Sequence, residues 1–175
     1  MKQLLLSYTQ FNIWANQQMI DVLLKLSDEQ IDTTMIGSFE SIRKTVYHIW
    51  SAENIWNQRL ALAENPIFGK MNFEGTFKEA TELWLQESVQ LNAFAQKQNS
   101  EDAFLHEFIY IDFKKNHHKN TVWQTIQHVC NHSTFHRGQI VNYLRFAGII
   151  KIPPTDYIHW CSTVDKKISQ IRIIL

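Results

Sequence analysis

The sequence predicts an all-α protein built as a bundle of long helices. Apolar residues recur at three- and four-residue steps through four long segments, which is the spacing of one helix face. Polar stretches and turns that contain proline or glycine separate these segments. A chain of 175 residues is long enough for a full core, and we expect one domain over residues 1–175.

The first two helices are predicted from apolar stripes and a capping serine. The stripe of the first helix comprises Leu4, Tyr8, Phe11, Ala15, Met19, Val22 and Leu26. The second helix is expected to begin at Ser38, with Ser41 as the alternative N-cap, because serine accepts hydrogen bonds from first-turn N–H groups. Asn65-Pro66 and Gly69 are expected to end it. Its inward positions are Ile42, Val46, Ile49, Trp56 and Leu60.

Two further long helices and a C-terminal helix complete the prediction. The third helix starts near Thr76, with an inward stripe of Phe77, Ala80, Trp84, Leu91 and Phe94 or Ala95. The fourth runs over roughly 120–147, and Gly148 closes it at the position that favours glycine. After Pro153-Pro154, Thr155 or Asp156 is expected to cap an added helix. Its inward positions are Ile158, Cys161, Val164 and Ile168.

One segment departs from the helical pattern. Residues 104–113 are rich in aromatic and β-branched side chains with partial alternation, and the polar run 114–120 follows them. We therefore expect a short strand or β-hairpin between the third and fourth helices, with the polar run, including His117 and His118, as its solvated turn.

Composition and charge exclude several classes of protein. Lys+Arg and Asp+Glu each number 17, so the chain lacks the net positive charge typical of a broad nucleic-acid surface. Cys130 and Cys161 are too few for a disulfide framework, which favours a reducing, cytoplasmic location. No apolar run approaches the length that spans a bilayer, and the N-terminus turns polar too soon for a signal peptide. We expect neither a nucleic-acid nor a membrane partner.

The histidines of the fourth helix carry the strongest functional signal. His132 and His136 are four residues apart, which places both imidazoles on one helix face, as helical metal ligands are. The apolar stripe that includes Ile126, Val129 and Ile140 passes through this pair. A polar group on such a stripe costs stability unless something binds it. A third ligand should come from a facing helix, because bundles build metal sites in this way.

The candidate third ligand is His48, on the flank of the second helix's apolar stripe. Spacing alone leaves the ligand pair open, because His128 and His132 are also four residues apart. A histidine on an apolar face is also commonly a hydrogen-bonded core residue. Cys130 is interpreted as a packed thiol and Arg137 as a structural residue.

Several motifs resemble the DinB/YfiT-like superfamily over almost the whole chain. They are Trp14-Ala15-Asn16, residues 26–30, residues 37–42 leading into Val46-Tyr47-His48-Ile49, residues 128–140 and Pro154-Thr155-Asp156-Tyr157. The resemblance implies an up-down-down-up four-helix bundle with an added C-terminal helix. It also implies a divalent metal ion, nickel or zinc, bound by His48, His132 and His136, with His128, Asn131 and Gln139 supporting the ligands.

The same resemblance implies a function class. Relatives include enzymes that use bacillithiol, glutathione or mycothiol, so we expect transfer of a low-molecular-weight thiol to a small-molecule substrate. A metal-dependent hydrolase is the alternative enzyme, and a non-catalytic metal-binding protein of the stress response is the alternative from another class. Relatives also imply a homodimer.

Overall fold

Four long helices form the body of the molecule. The computed structural model describes residues 1–165. The bundle helices are α1 (Lys2–Leu23), α3 (Ile42–Leu60), α4 (Phe77–Lys97) and α5 (Val122–Phe146). A short helix α2 (Asp28–Asp32) lies between the first two, and a single 3₁₀ turn (Asp102–Phe104) follows α4. The all-α class predicted from the apolar periodicity is confirmed.

The order of the bundle is up-down-down-up. α1 and α3 each pack against both α4 and α5. The order of the helices around the bundle is therefore α1, α4, α3, α5. One buried cluster joins the beginnings of α1 and α5, at Leu5 and Val122, to the ends of α3 and α4, at Leu60 and Ala95. Since α3 and α4 therefore run opposite to α1 and α5, the predicted order is confirmed.

A two-stranded antiparallel hairpin connects α4 to α5, as predicted. It consists of β1 (Glu107–Ile111) and β2 (His117–Thr121), with Glu107 paired to Thr121 and Ile111 to His117. The expectation that His117 and His118 lie in the turn was wrong, because both belong to β2. Asp112 accepts hydrogen bonds from the backbone N–H groups of Lys114 and Asn116, so the turn closes earlier than the polar run suggested.

Two helix starts differ from the prediction. Ser41, the alternative, is the N-cap of α3 and accepts a hydrogen bond from the Lys44 backbone N–H. Ser38 accepts instead from Gln139 on α5. Helix α2 was not predicted; its single turn is too short for a periodic signal, although Ser27 and Gln30 form a capping box there. Gly148 closes the C-terminal end of α5 with φ +81°, as expected.

The C-terminal helix begins at a predicted cap, but one of its inward positions differs from the prediction. α6 (Tyr157–Trp160) is capped by Asp156 and continues as one π-helical turn (Cys161–Asp165). The inward position predicted at Ile158 was wrong, because that side chain is 72% exposed, whereas Trp160 is buried against Phe11. Leu4 of α1 is likewise exposed, and its neighbour Leu5 is buried in its place. The predicted position Ile168 lies outside the described residues, and the side chain of Val164 is likewise outside the described part of the chain. Between residues 1 and 165, no helix combines the length and the apolar character that a bilayer span requires.

Candidate metal centre

Three histidines from two packed helices meet at one point. His48 lies on α3, and His132 and His136 lie on consecutive turns of α5. The Nε2 atom of His48 is 2.9 Å from Nε2 of His132 and 3.1 Å from Nε2 of His136. The ligand atoms of all three lie within 4.8 Å of one another, so this cluster could hold a metal ion. His48 and His132 are half-buried and His136 is buried.

The hydrogen bonds around His136 fix which of its nitrogens bears a proton. Its Nδ1 donates to Oε1 of Gln139 over 2.7 Å, and Nε2 of Gln139 donates to Oγ of Ser38 over 3.0 Å. A neutral imidazole carries one hydrogen, so Nε2 of His136 presents its lone pair to the other two rings. Nε2 of His48 faces Nε2 of His132 and Nε2 of His136. Because it bears one hydrogen at most, it cannot donate to both, and the cluster has too few hydrogen-bond donors. A cation satisfies all three nitrogens together.

Burial keeps the three imidazoles in the neutral form that binds metals. Burial, with a contribution from His136 and Lys70, lowers the pKa of His48 to about 4. Burial and the neighbouring histidines lower the pKa of His132 to about 3. Burial also lowers the pKa of His136, although the hydrogen bond to Gln139 opposes this. Near pH 7 each ring therefore offers a lone pair without first losing a proton.

Two of the three nitrogen separations fit a first-row divalent cation. With metal–nitrogen bonds of about 2.05 Å, two ligand nitrogens lie about 3.3 Å apart in a tetrahedral site and about 2.9 Å apart in an octahedral one. The two separations from His48 therefore match either geometry to within a few tenths of an ångström. The ring of Phe39 stacks on His48 at 4.2 Å and meets His136 edge-on at 5.5 Å, so it covers one side of the cluster.

His128 lies outside this cluster. Its ring centroid is 5.8 Å from that of His132, and its ring packs edge-on against Trp56. The alternative pair of His128 and His132 is therefore not the pair that meets His48. Among the supporting residues that the resemblance implied, Gln139 bonds directly to His136, whereas Asn131 accepts a hydrogen bond from Tyr8.

A buried carboxylate under the histidines was not anticipated. Glu53 of α3 is fully buried, and its Oε1 accepts hydrogen bonds from Ser133 at 2.7 Å, Asn12 at 3.0 Å and Asn16 at 3.1 Å. Its Oε2 accepts from Ser88 of α4 at 2.6 Å. The signal was present in the sequence, because position 53 lies on the apolar stripe between Ile49 and Trp56. Glu53 thereby ties all four bundle helices together directly beside His132.

Arg137 completes this polar core and has the structural role that was expected. It is 1% exposed, and its Nη1 donates to Oδ1 of Asn12 and of Asn16. The Nδ2 groups of both asparagines in turn donate to Oε1 of Glu53. Burial lowers the pKa of Arg137 to about 10, and the charge of Glu53 opposes that shift. Cys130 is the packed thiol that was expected, since it is fully buried and burial raises its pKa.

Comparison with known proteins gives a family and a relative. The model of the DinB family matches residues 1–166 of this chain. The protein named DinB from Bacillus subtilis (strain 168) is 31% identical over 165 residues, which covers 85% of this chain and 88% of that protein.

Proposed function

The chain belongs to the DinB family, and we propose that it is a divalent-metal-dependent enzyme whose ion is held by His48, His132 and His136. The observation that carries this proposal is the convergence of three Nε2 atoms, one of which has its lone pair oriented by Gln139. Nickel and zinc are the proposed ions, because imidazole nitrogen suits both. Within residues 1–165, no carboxylate or thiol belongs to this cluster, so the ligand set is neutral.

The proposed reaction is the transfer of a low-molecular-weight thiol to an electrophile. The sulfur forms a bond to the electrophilic carbon, the leaving group departs with its bonding electrons, and the thiol proton passes to solvent. His48, His132 and His136 would hold the cation, which would supply a Lewis acid able to lower the pKa of a thiol. The three imidazoles are neutral, so they would leave its full positive charge in place. Gln139 holds the orientation of His136, and Phe39 shields one side of the cluster from water.

The substrate is proposed to approach along the groove between α3 and α5. His48 and His132 are half-buried, so the cluster is accessible from solvent. A cleft of about 180 Å³ lies one helical turn away, beyond His132, and Trp56, Tyr110 and His128 contribute to its lining. These rings offer an apolar surface against which the electrophile can pack.

Conjugation assays test this function. Protein loaded with nickel or zinc is incubated with bacillithiol, glutathione or mycothiol and the electrophile 1-chloro-2,4-dinitrobenzene, with His136→Ala as the control. We expect saturable conjugation that depends on His136. Absence of conjugation combined with His136-dependent ester or amide hydrolysis would favour the alternative hydrolase. Inactivity in both assays would favour the non-catalytic metal-binding alternative.

Gln139→Ala is expected to weaken metal affinity by about 10- to 100-fold without unfolding the protein. The substitution removes the acceptor that orients His136, while leaving all three ligands present. Gln90→Ala is the matched control, because Gln90 is an exposed glutamine on α4, away from the cluster. Competition with a chromophoric chelator measures both affinities. Equal affinities of the two variants would contradict the orienting role of Gln139.

We also propose that the protein is a cytoplasmic homodimer. An apolar cleft of about 430 Å³ between the starts of α1 and α5 includes the exposed Leu4, beside Trp123. Leu4→Glu is expected to shift the protein to a monomer, since it places a charge on this apolar surface without disturbing the core. Leu24→Glu, exposed at the opposite end of α1, should leave the dimer intact. Light scattering that finds a wild-type monomer at micromolar concentration would contradict the dimer.

A further inference from the structure

Arg59, at the end of α3, is a buried cation held between aromatic rings. The residue is 7% exposed, and its guanidinium lies 4.5 Å from the ring centroid of Trp56 and 4.6 Å from that of Tyr110. Its Nη2 donates to the backbone oxygen of Ile111 over 3.1 Å. These contacts fix the plane of the guanidinium against the hairpin.

The charge of Arg59 has no carboxylate bonded to it in the described part of the chain. Its Nε is buried without a hydrogen bond, and Nη2 bonds only to a neutral backbone oxygen. Asp112 acts on Arg59 from a distance, but its own oxygens accept from His118 and from the backbone of Lys114 and Asn116. Burial consequently lowers the pKa of Arg59. An unpaired buried charge is costly, and an anion bound beside it would offset that cost.

Such room exists beside Arg59. A cleft of about 620 Å³ lies between the loop after α3 and strand β1, and Arg59 is part of its lining. The apolar part of its wall is exposed: Ile109 is 66%, Ile111 51% and Phe113 63% exposed. The charged residues Glu64, Asp112 and Lys115 also line the cleft. This volume is within the range of small-molecule sites, which are commonly apolar with a few oriented polar groups.

We propose that this cleft binds a small organic carboxylate, with its acid group on Arg59 and its apolar body against Ile109, Ile111 and Phe113. A carboxylate matches the fork of a guanidinium, and the exposed walls match an aromatic or aliphatic body. The site is separate from the histidine cluster, because the eleven residues from His48 to Arg59 span about 16 Å of helix. The proposal does not depend on the metal, although Trp56 and Tyr110, which pack against Arg59, also line the cleft proposed for the electrophile.

Titration with three probes tests the ligand chemistry. Benzoate, its neutral counterpart benzamide and inorganic phosphate are titrated into the zinc-loaded full chain, and the methyl resonances of Ile109 and Ile111 are followed by NMR. We expect benzoate to bind saturably and at least about tenfold more tightly than either other probe. Equal affinity for benzamide would overturn the role of the charge, and equal affinity for phosphate would overturn the role of the apolar body.

Two substitutions test the location. Arg59→Gln is expected to weaken benzoate binding at least about tenfold, whereas Arg145→Gln, an exposed arginine on α5, should not change it. Undiminished binding by folded Arg59→Gln overturns the proposal. If that variant does not fold, Ile109→Glu decides the question, because it adds a negative charge at an exposed position of the cleft. Binding reduced at least about tenfold supports the site, and unchanged binding overturns it.

Discussion

Replacing His132 by alanine is expected to weaken the affinity for nickel or zinc by more than about 100-fold. The change removes one of three convergent nitrogens, and the remaining two cannot enclose a cation with the same geometry. His128→Ala is the matched control on the same helix, one turn away, and it should lose less than about tenfold because His128 lies outside the cluster. Competition with a chromophoric chelator measures both variants, with circular dichroism to verify folding.

The other two ligands complete this test. His48→Ala and His136→Ala are expected to behave like His132→Ala, since each removes one nitrogen from the same cluster. Full metal retention in all three variants would contradict the assignment. A larger loss in His128→Ala than in His132→Ala would instead favour the pair formed by His128 and His132.

Glu53→Ala is expected to lower the free energy of unfolding by about 3–5 kcal/mol. The substitution leaves the Ser133 hydroxyl and the Asn12 amide without their acceptor. Ser88 and Asn16 each lose one of two acceptors. It also leaves the buried charge of Arg137 uncompensated. Glu53→Gln keeps the volume and one acceptor oxygen, so its loss should be smaller than that of Glu53→Ala. Urea unfolding followed by circular dichroism gives these differences.

An exposed glutamate on α4 provides the control for Glu53. The side chain of Glu82 is 62% exposed, and Glu82→Ala is expected to change the free energy of unfolding by no more than about 0.5 kcal/mol. A loss below about 1 kcal/mol in Glu53→Ala would show that the polar core beneath the histidines contributes little to the stability of the bundle.

The sequence was sufficient for those parts of the fold that local spacing determines. Four apolar stripes predicted four helices, and aromatic and β-branched residues predicted the hairpin. The turn of that hairpin was misplaced, because it depends on hydrogen bonds from the backbone to Asp112 that composition does not reveal. Helix α2 escaped prediction because one turn cannot display a period. Ser38 and Ser41 are equally good caps by residue type, and only the contact of Ser38 with Gln139 distinguishes them.

The same distinction holds for the candidate site: spacing along the chain predicts some of its residues, and contacts between distant elements determine the others. Spacing placed His132 and His136 on the inward stripe, but it allowed His128 equally well. The packing of α3 against α5 brings His48 into contact with His132 and His136. His128 packs instead against Trp56. Residues whose role depends on distant partners were harder to anticipate. Arg59 is buried by a hairpin fifty residues further along the chain, so no local pattern marks it.

X-ray absorption spectroscopy of the metal-loaded protein, combined with metal analysis, tests the central claim most directly. We expect one divalent cation per chain, with three imidazole nitrogens among its ligands and no protein sulfur or carboxylate. The same measurement on His132→Ala should show the loss of one imidazole from any metal that remains bound. A wild-type protein that binds no stoichiometric cation, or a coordination shell that contains protein sulfur or carboxylate in place of the histidines, would contradict it.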